Sequence, residues 1–195
     1  MSVQEEELKR REKEILTKAK TLFSQKGFHS LTVSDIVNSL GIARGTFYLY
    51  FRNKDDVYRR VLEKTVSEIE SRLKLLPLDR PLEQLRDNLL SILRLIEEDR
   101  ETASLIFFHP YRLSPEFDRV LEEFYRKVLH LIERALIRGM EMGIVRECNV
   151  KVVSRAILGA FVEVGKGLLS GEVSGAEEVV DEILSFGLRG LLEGR

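Results

Sequence analysis

The stretch TVSDIVNSLGIARGTFYLYFRNKDD, residues 32–56, decides the fold of this chain. Thr32 and Asp35 have the spacing of a capping box at the start of a helix, and Gly41 ends that helix in a turn. A second short helix is predicted for about residues 44–51. Two short helices joined by a glycine turn predict a helix-turn-helix.

Working outward from this motif, apolar residues recur with helical spacing, and no segment alternates as a half-exposed strand does. We predict an all-α protein of about nine helices, with an N-terminal three-helix head and a C-terminal helical body. The sequence LPLDRP, residues 76–81, has two prolines in six residues and indicates the boundary. The predicted domains are residues 9–69, with the helix-turn-helix at about 32–51, and residues 76–195.

Charge is distributed unevenly between these two parts. The chain of 195 residues has a formal net charge of -1. Residues 1–60 contain 12 Lys and Arg against 8 Asp and Glu, a net charge of +4, which leaves -5 for residues 61–195. A mildly basic head on an acidic body is typical of a region that faces phosphates joined to a second region that does not.

Two classes of protein are excluded by simple counts. The single cysteine, Cys148, excludes an internal disulfide and a four-cysteine zinc site. No apolar run approaches the ~18 residues of a membrane span, and the first residues are charged rather than signal-like. We therefore expect a cytoplasmic protein without a cofactor, a metal or a membrane partner.

The helix at 44–51 carries a chemically specific set of side chains. Arg44 can donate two hydrogen bonds to guanine, and Thr46 can contact a thymine methyl group or a phosphate. Gly45 destabilises a helix by about 1 kcal/mol relative to Ala. A glycine at this position is explained if a side chain there would prevent close approach of DNA. Tyr48 and Tyr50 present hydroxyls suited to phosphate oxygens.

Two further candidates flank this helix. Lys54 begins the next helix, which Asn53 is placed to cap, and brings a positive charge to a helix start that already favours an anion. Ser34 begins the preceding helix and is a candidate phosphate or base contact.

A simpler interpretation exists for each residue alone. Tyr48 and Tyr50 can be half-buried aromatic residues with wet hydroxyls, Lys54 an ordinary surface lysine, and Gly45 a residue without a role. The combination on one short helix favours DNA binding.

The region also resembles a known family. LTVSDIVNSLGIARGTFYLYFRNKDDVY is similar to the DNA-binding head of the TetR family of transcriptional repressors, and the resemblance covers about residues 9–69. The matching positions are Ala19, Phe23, Gly27, Phe28, Thr32, Ile36, Gly41, Gly45, Thr46, Phe47, Tyr48, Tyr50, Phe51 and Lys54.

The resemblance implies which residues face DNA. Phosphate contacts would position the head and Arg44 would carry most of the base reading. The implied set is Ser34, Arg44, Gly45, Thr46, Tyr48, Tyr50 and Lys54. The chain departs from the family at Val37 and Leu40, where Ala is usual, and at Ala43, where Ser is frequent, so the operator sequence does not follow from the resemblance.

The last two predicted helices, about residues 150–170 and 175–193, are too apolar for the surface of a monomer. Glycines interrupt both, at Gly159, Gly165, Gly187 and Gly190. Small residues allow helices to approach closely, so we interpret these helices as a packed interface, with a monomer core as the alternative. The resemblance implies a two-fold dimer, which would place two recognition helices about 34–36 Å apart on a palindromic operator.

A ligand pocket is predicted in the middle of the body, where aromatic residues cluster with few charges. These suit a small apolar effector that releases the repressor from DNA, although each is also compatible with an ordinary core. The candidates are Phe107, Phe108, His109, Tyr111, Arg112, Phe117, Phe124, Tyr125, His130 and Phe161.

Two other functions are alternatives to a ligand-released repressor. His130 and Glu133 have the HxxE spacing of a metal-dependent enzyme, but no second such pair follows, so an enzyme is not expected. An activator, or a DNA-binding protein that needs no ligand, would use the same head, and the sequence does not separate it from a repressor.

Overall fold

The computed structural model of the protein describes residues 3–74, 77, 79–107 and 115–191. Nine α-helices lie within these ranges, which confirms the predicted all-α class. The helices are α1 (Val3–Ser30), α2 (Val33–Leu40), α3 (Arg44–Tyr48), α4 (Lys54–Arg72), α5 (Pro81–Glu98), α6 (Arg100–Phe107), α7 (Pro115–Glu141), α8 (Val150–Ser170) and α9 (Ala176–Leu191).

One helix is kinked and another differs from the prediction in length. The kink lies at Gly27 of α1, which has φ 74°, and helical turns continue beyond it to Ser30. The helix α3 ends at Tyr48 rather than Phe51, because the N–H of Tyr50 bonds to Phe47 O at 3.0 Å and tightens the chain into a turn.

The head forms around an apolar cluster built by α1, α2, α3 and α4. Ile15, Ile36, Phe47, Phe51 and Leu62 are all fully buried in it. Burying side chains of this size contributes about 1.5–3 kcal/mol each, so these five stabilise the packing of the short helices.

The body supplies two residues to the same cluster. Leu105 from α6 and Phe117 from α7 are buried among the head residues. The ring of Phe117 lies 5.2 Å from that of Phe28 and 4.9 Å from that of Tyr58, both edge to face. The predicted division at residues 76–81 stays a prediction, but the core of the head is completed from across it.

Polar contacts reinforce this junction along one face of α1. Lys20 Nζ donates to Asp99 Oδ2 at 2.6 Å and to Thr102 Oγ1 at 2.9 Å. Thr21 Oγ1 donates to a carboxylate oxygen of Glu101 at 2.9 Å. Head and body are therefore joined by both apolar packing and hydrogen bonds.

A second apolar cluster forms the core of the body. It is built by α5, α6, α7, α8 and α9 together with the end of α4, and Leu93, Ile96 and Val180 are its largest fully buried side chains. No helix within the described ranges is sufficiently long and apolar to cross a membrane.

Candidate nucleic-acid interface

The start of α2 is fixed by a reciprocal cap. Asp35 N donates to Thr32 Oγ1 at 3.2 Å, and Thr32 N donates to Asp35 Oδ2 at 2.8 Å, which confirms the predicted capping box. Lys26 of α1 donates to Asp35 Oδ1 at 2.8 Å. The hydrogen bonds from Lys26 and then from Thr32 hold the pKa of the Asp35 carboxyl well below its usual range. The carboxylate thus joins α1 to the helix-turn-helix.

The turn between α2 and α3 needs a glycine. Gly41 has φ 63°, in the left-handed region that side chains disfavour, and its N–H donates to Asn38 O at 3.2 Å. The next N–H, that of Ile42, donates to Val37 O at 3.1 Å. Two carbonyls at the end of α2 are satisfied, and the chain reverses into α3.

Burial of one side of α3 decides which side faces outward. Phe47 is fully buried, and so is Phe51, which lies just beyond the helix. Arg44, Gly45 and Tyr48 are exposed, and Tyr48 follows Arg44 by four residues and Gly45 by three, which places both beside it on one face. Ala43 precedes the helix and provides no side-chain cap for its first N–H groups.

The predicted interface residues separate into exposed and half-buried groups. Ser34, Arg44 and Gly45 are exposed, and Tyr48 is 50% exposed with its ring against Phe47 at 5.4 Å. Thr46 and Tyr50 are half-buried. A Cβ added at Gly45 would meet no heavy atom within 4 Å, so packing inside the protein does not require a glycine there.

Lys54 has a contact that the sequence did not indicate. Its Nζ donates to Phe28 O at 2.6 Å and lies 4.3 Å from the centre of the Phe28 ring. The ammonium group therefore also satisfies a carbonyl near the end of α1. Its predicted phosphate contact stays a prediction.

Two exposed residues beside this face were missed by the sequence reasoning. Leu49 is 77% exposed immediately after α3, and the Arg52 side chain is 81% exposed in the turn before α4. The available signal for Arg52 was its position between Tyr50 and Lys54, two residues that were already candidates.

The predicted ligand-binding residues lie in several different environments. Phe107 and Phe124 are buried in the body core, and Phe161 and Tyr125 pack against it half-buried. His130 is exposed on α7, which argues against a place in an interior pocket. Phe117 lies in the head cluster rather than among the body aromatics. The remaining candidates, Phe108, His109, Tyr111 and Arg112, lie outside the described residues.

The HxxE pair of His130 and Glu133, which is the spacing of a metal-dependent enzyme, does not form a metal site within the described ranges. His130 is exposed, and the nearest charged partner of Glu133 is Arg155, whose Nη1 lies 3.7 Å from Glu133 Oε1. No group of three or more His, Cys, Asp or Glu suited to a metal ion occurs among the residues that the structure describes.

A short helix anchored by buried aromatics, with a basic and hydroxyl-bearing outer face, defines the class of protein: a helix-turn-helix DNA-binding protein with an all-helical body. Two family models match the chain. The model for bacterial regulatory proteins of the tetR family covers residues 15–61, and the tetracyclin repressor-like C-terminal domain covers residues 78–191, more than half of the chain. The chain belongs to the TetR family of transcriptional regulators, and the predicted DNA-binding regulator is confirmed.

Individual similar proteins agree with this assignment. The chain is 41% identical over 66 residues to the uncharacterized HTH-type transcriptional regulator YfiR of Bacillus subtilis, covering 34% of this chain and 32% of that protein. It is 23% identical over 153 residues to the fatty acid metabolism regulator protein of the same organism, covering 77% and 79%.

A solved structure shows the same fold over nearly the whole length. The ketosteroid transcriptional regulator of Mycobacterium tuberculosis superposes with a TM-score of 0.74 at 23% identity, covering 94% of this chain and 96% of that one. These relatives are regulators rather than enzymes, which agrees with the predicted absence of enzymatic activity. The predicted partners, operator DNA, a second copy and a small-molecule effector, are those of the family.

Proposed function

We propose that this regulator is a cytoplasmic, homodimeric repressor that binds a palindromic operator through α3 and is released by a small apolar ligand. The observation that carries the proposal is the outer face of α3, where Arg44, Gly45 and Tyr48 are exposed while Phe47 is buried. Because Phe47 is buried on the opposite side of the helix, the outer face has a fixed orientation. Base reading in the major groove requires such an orientation.

The exposed and half-buried residues divide into two roles. Arg44 has no competing packing role and reads a base edge, where a bidentate pair with guanine discriminates by about 1–3 kcal/mol. Thr46, Tyr48, Tyr50 and Lys54 contact phosphates and fix the register of the head. Ser34, exposed in the first turn of α2, adds a contact from the neighbouring helix.

Exposed apolar and small residues on the last two helices support the dimer. Val152 on α8 is 62% exposed and Phe186 on α9 is 81% exposed. A Cβ at Gly159 or Gly187 would meet no heavy atom within 4 Å, so neither glycine is explained by packing inside one protomer. A second copy packed on α8 and α9 would bury Val152 and Phe186 and would occupy the open space beside Gly159 and Gly187.

One glycine of the predicted interface has a different explanation. A Cβ at Gly165 would overlap the ring of Phe107, so this glycine admits a core aromatic residue from α6. We therefore propose a dimer interface on α8 that includes Gly159 but not Gly165.

The effector is proposed to be apolar because the body aromatics Phe107, Phe124 and Phe161 lie in or against an apolar core. Two similar proteins are named as a fatty acid metabolism regulator and a ketosteroid transcriptional regulator, and both names concern apolar molecules. A ligand that weakens operator binding 100-fold needs about 2.7 kcal/mol of differential affinity between the two states of the body. Native mass spectrometry and thermal-shift measurements with fatty acids and steroids test this, and a uniformly negative result contradicts it.

The DNA-binding site is tested with the promoter region beside the protein's own gene, first by footprinting and then by fluorescence anisotropy at fixed salt. We expect Arg44→Ala to relax sequence preference, with a loss of about 1–3 kcal/mol confined to the cognate duplex. Tyr48→Phe and Lys54→Ala should weaken binding to cognate and scrambled duplexes alike.

Unchanged operator affinity in all three variants would reject the assigned site. Repression is tested separately, by measuring transcripts of the flanking genes after deletion. A rise in those transcripts supports a repressor, and a fall shows an activator that uses the same head.

A further inference from the structure

The turn between α3 and α4 forms one wall of an open notch beside the proposed DNA-facing surface. Its polar lining residues are Tyr48, Tyr50, Arg52, Asp56, Arg59 and Arg60. Two of these, Tyr48 and Tyr50, already belong to the proposed DNA contacts. Three arginines therefore converge next to these contacts, around a single carboxylate.

The carboxylate of Asp56 already accepts hydrogen bonds from other groups of the protein. The Asp56 side chain is almost fully buried and accepts a hydrogen bond from Arg52 N at 3.1 Å and another from Arg59 Nη2 at 2.8 Å. Arg60 Nε lies 3.6 Å from the same group. Asp56 thus neutralises the inner side of the notch and holds the main chain at Arg52 in place.

Two of the three arginines are also held by other residues. Arg59 Nη1 donates to Glu63 Oε1 at 2.7 Å. Arg60 Nη1 pairs with Glu12 of α1, and its guanidinium lies 5.1 Å from the centre of the Phe51 ring. These arginines join α4 to its surroundings and have little freedom to follow a ligand.

Arg52 differs from both. Its side chain is 81% exposed, and its closest approach to a carboxylate is Nε at 3.8 Å from Asp56 Oδ2, too long for a hydrogen bond. Across residues 3–74, 79–107 and 115–191, no carboxylate is recorded as accepting a hydrogen bond from its guanidinium. Asp56 therefore fixes the main chain at Arg52, while the guanidinium of Arg52 remains available to a ligand.

We infer that Arg52 binds a phosphate of the operator backbone, next to the phosphates contacted by Tyr48 and Tyr50, and that Asp56 positions it. This inference rests on the proposed DNA-binding function and adds a contact to it. A planar guanidinium matches two phosphate oxygens, and its attachment to a fixed main chain reduces the entropy lost on binding. Since phosphates carry no sequence information, Arg52 contributes affinity and register but not base preference.

The test is the salt dependence of DNA affinity for Arg52→Gln, measured by anisotropy on the promoter duplex and on a scrambled duplex. Loss of one phosphate contact should reduce the slope of log K against log salt concentration by about 0.9. The same relation gives an affinity loss of about fivefold at 0.15 M salt and about fifteenfold at 0.05 M salt. The loss should be equal on the two duplexes.

Two matched variants accompany it. Arg52→Lys keeps the charge and should retain the slope, although some affinity is lost with the second hydrogen bond. Arg126→Gln makes the same change in net charge on the exposed surface of α7 in the body and should alter neither slope nor affinity. Thermal melting of Arg52→Gln should match the parent protein, because the side chain packs against little.

An unchanged slope and affinity for Arg52→Gln would overturn the inference, and so would a loss confined to the promoter duplex, which would indicate base reading. If Arg44→Ala still relaxes sequence preference in that case, the proposed function stands without the Arg52 contact. A protein that binds neither duplex would instead contradict the proposed function itself.

Discussion

At the residue scale, the proposed DNA contact sets the demands of folding and of binding against each other at Gly45. It lies in the first turn of α3, it is exposed, and space is open where a Cβ would project. A glycine in that environment lowers helix stability without relieving any contact within the protein. Under the proposed function, the compensation for this cost comes from the DNA that approaches this face.

We expect Gly45→Ala to separate stability from DNA affinity. Helix propensity favours Ala by about 1 kcal/mol, so the free energy of unfolding should rise by up to that amount. Affinity for the operator should fall, because the added methyl group stands between α3 and the DNA. Urea denaturation and anisotropy on the same preparation measure the two effects.

Gly187→Ala on α9 adds a methyl group at another helical glycine with open space, far from α3 in the chain. Because Gly187 lies in the proposed dimer interface, the two variants are compared on a duplex that holds a single half-site, where Gly187→Ala should leave the contact of the head unchanged. An operator affinity for Gly45→Ala equal to that of the parent protein would contradict a close approach of DNA at this residue.

At the element scale, the helix ends follow local rules and the contacts between helices do not. Thr32 with Asp35, and Asn53 with Asp56, are separated by three residues, so their caps were visible in the sequence and are present in the structure. The contact of Lys20 with Asp99 joins α1 to the start of α6 across 79 residues. No local pattern indicates such a pair.

We expect the Lys20–Asp99 contact to make the junction of head and body sensitive to acid. Burial raises the pKa of the Asp99 carboxyl, but hydrogen bonds from Lys20 and Thr102 outweigh it and leave the pKa below its ordinary value. The unfolded chain therefore takes up the proton first as the pH falls. The stabilisation is complete above the ordinary aspartate pKa of about 3.9 and is lost as the pH falls towards the folded value.

The measurement is urea denaturation of Asp99→Asn at pH 7 and at pH 3. Asn retains an oxygen that can cap the N–H of Thr102 but lacks the charge, so the variant should be less stable by about 1 kcal/mol at pH 7. The difference should shrink at pH 3. Asp87→Asn, an exposed position on α5, is the charge-matched control, and a constant difference for Asp99→Asn across pH would contradict the interpretation.

At the scale of the whole molecule, α8 and α9 bear residues that a single protomer leaves without a role. We expect Phe186→Glu to convert the dimer to a monomer, because a carboxylate would be buried between two copies without a partner. Analytical ultracentrifugation measures the change, and operator affinity should fall because the two heads are no longer linked. Circular dichroism should be unchanged, since Phe186 is exposed within the protomer.

Leu82→Glu on α5 provides the comparison, since Leu82 is also exposed and apolar but lies outside α8 and α9. It should remain dimeric and bind DNA normally. A dimeric Phe186→Glu protein would move the proposed interface away from this part of α9.

The sequence by itself determined the helical class, the capped start of α2, the glycine turn and the outward position of Arg44, Gly45 and Tyr48. Each of these features depends on residues within about four positions of one another, and over that distance helical geometry determines which residues are in contact. Tertiary structure alone decided that Lys54 bonds to the Phe28 carbonyl, that Phe117 completes the core of the head, and that Phe107 fills the space at Gly165. These contacts join residues 26 or more positions apart, and only the packing of whole helices brings such residues together.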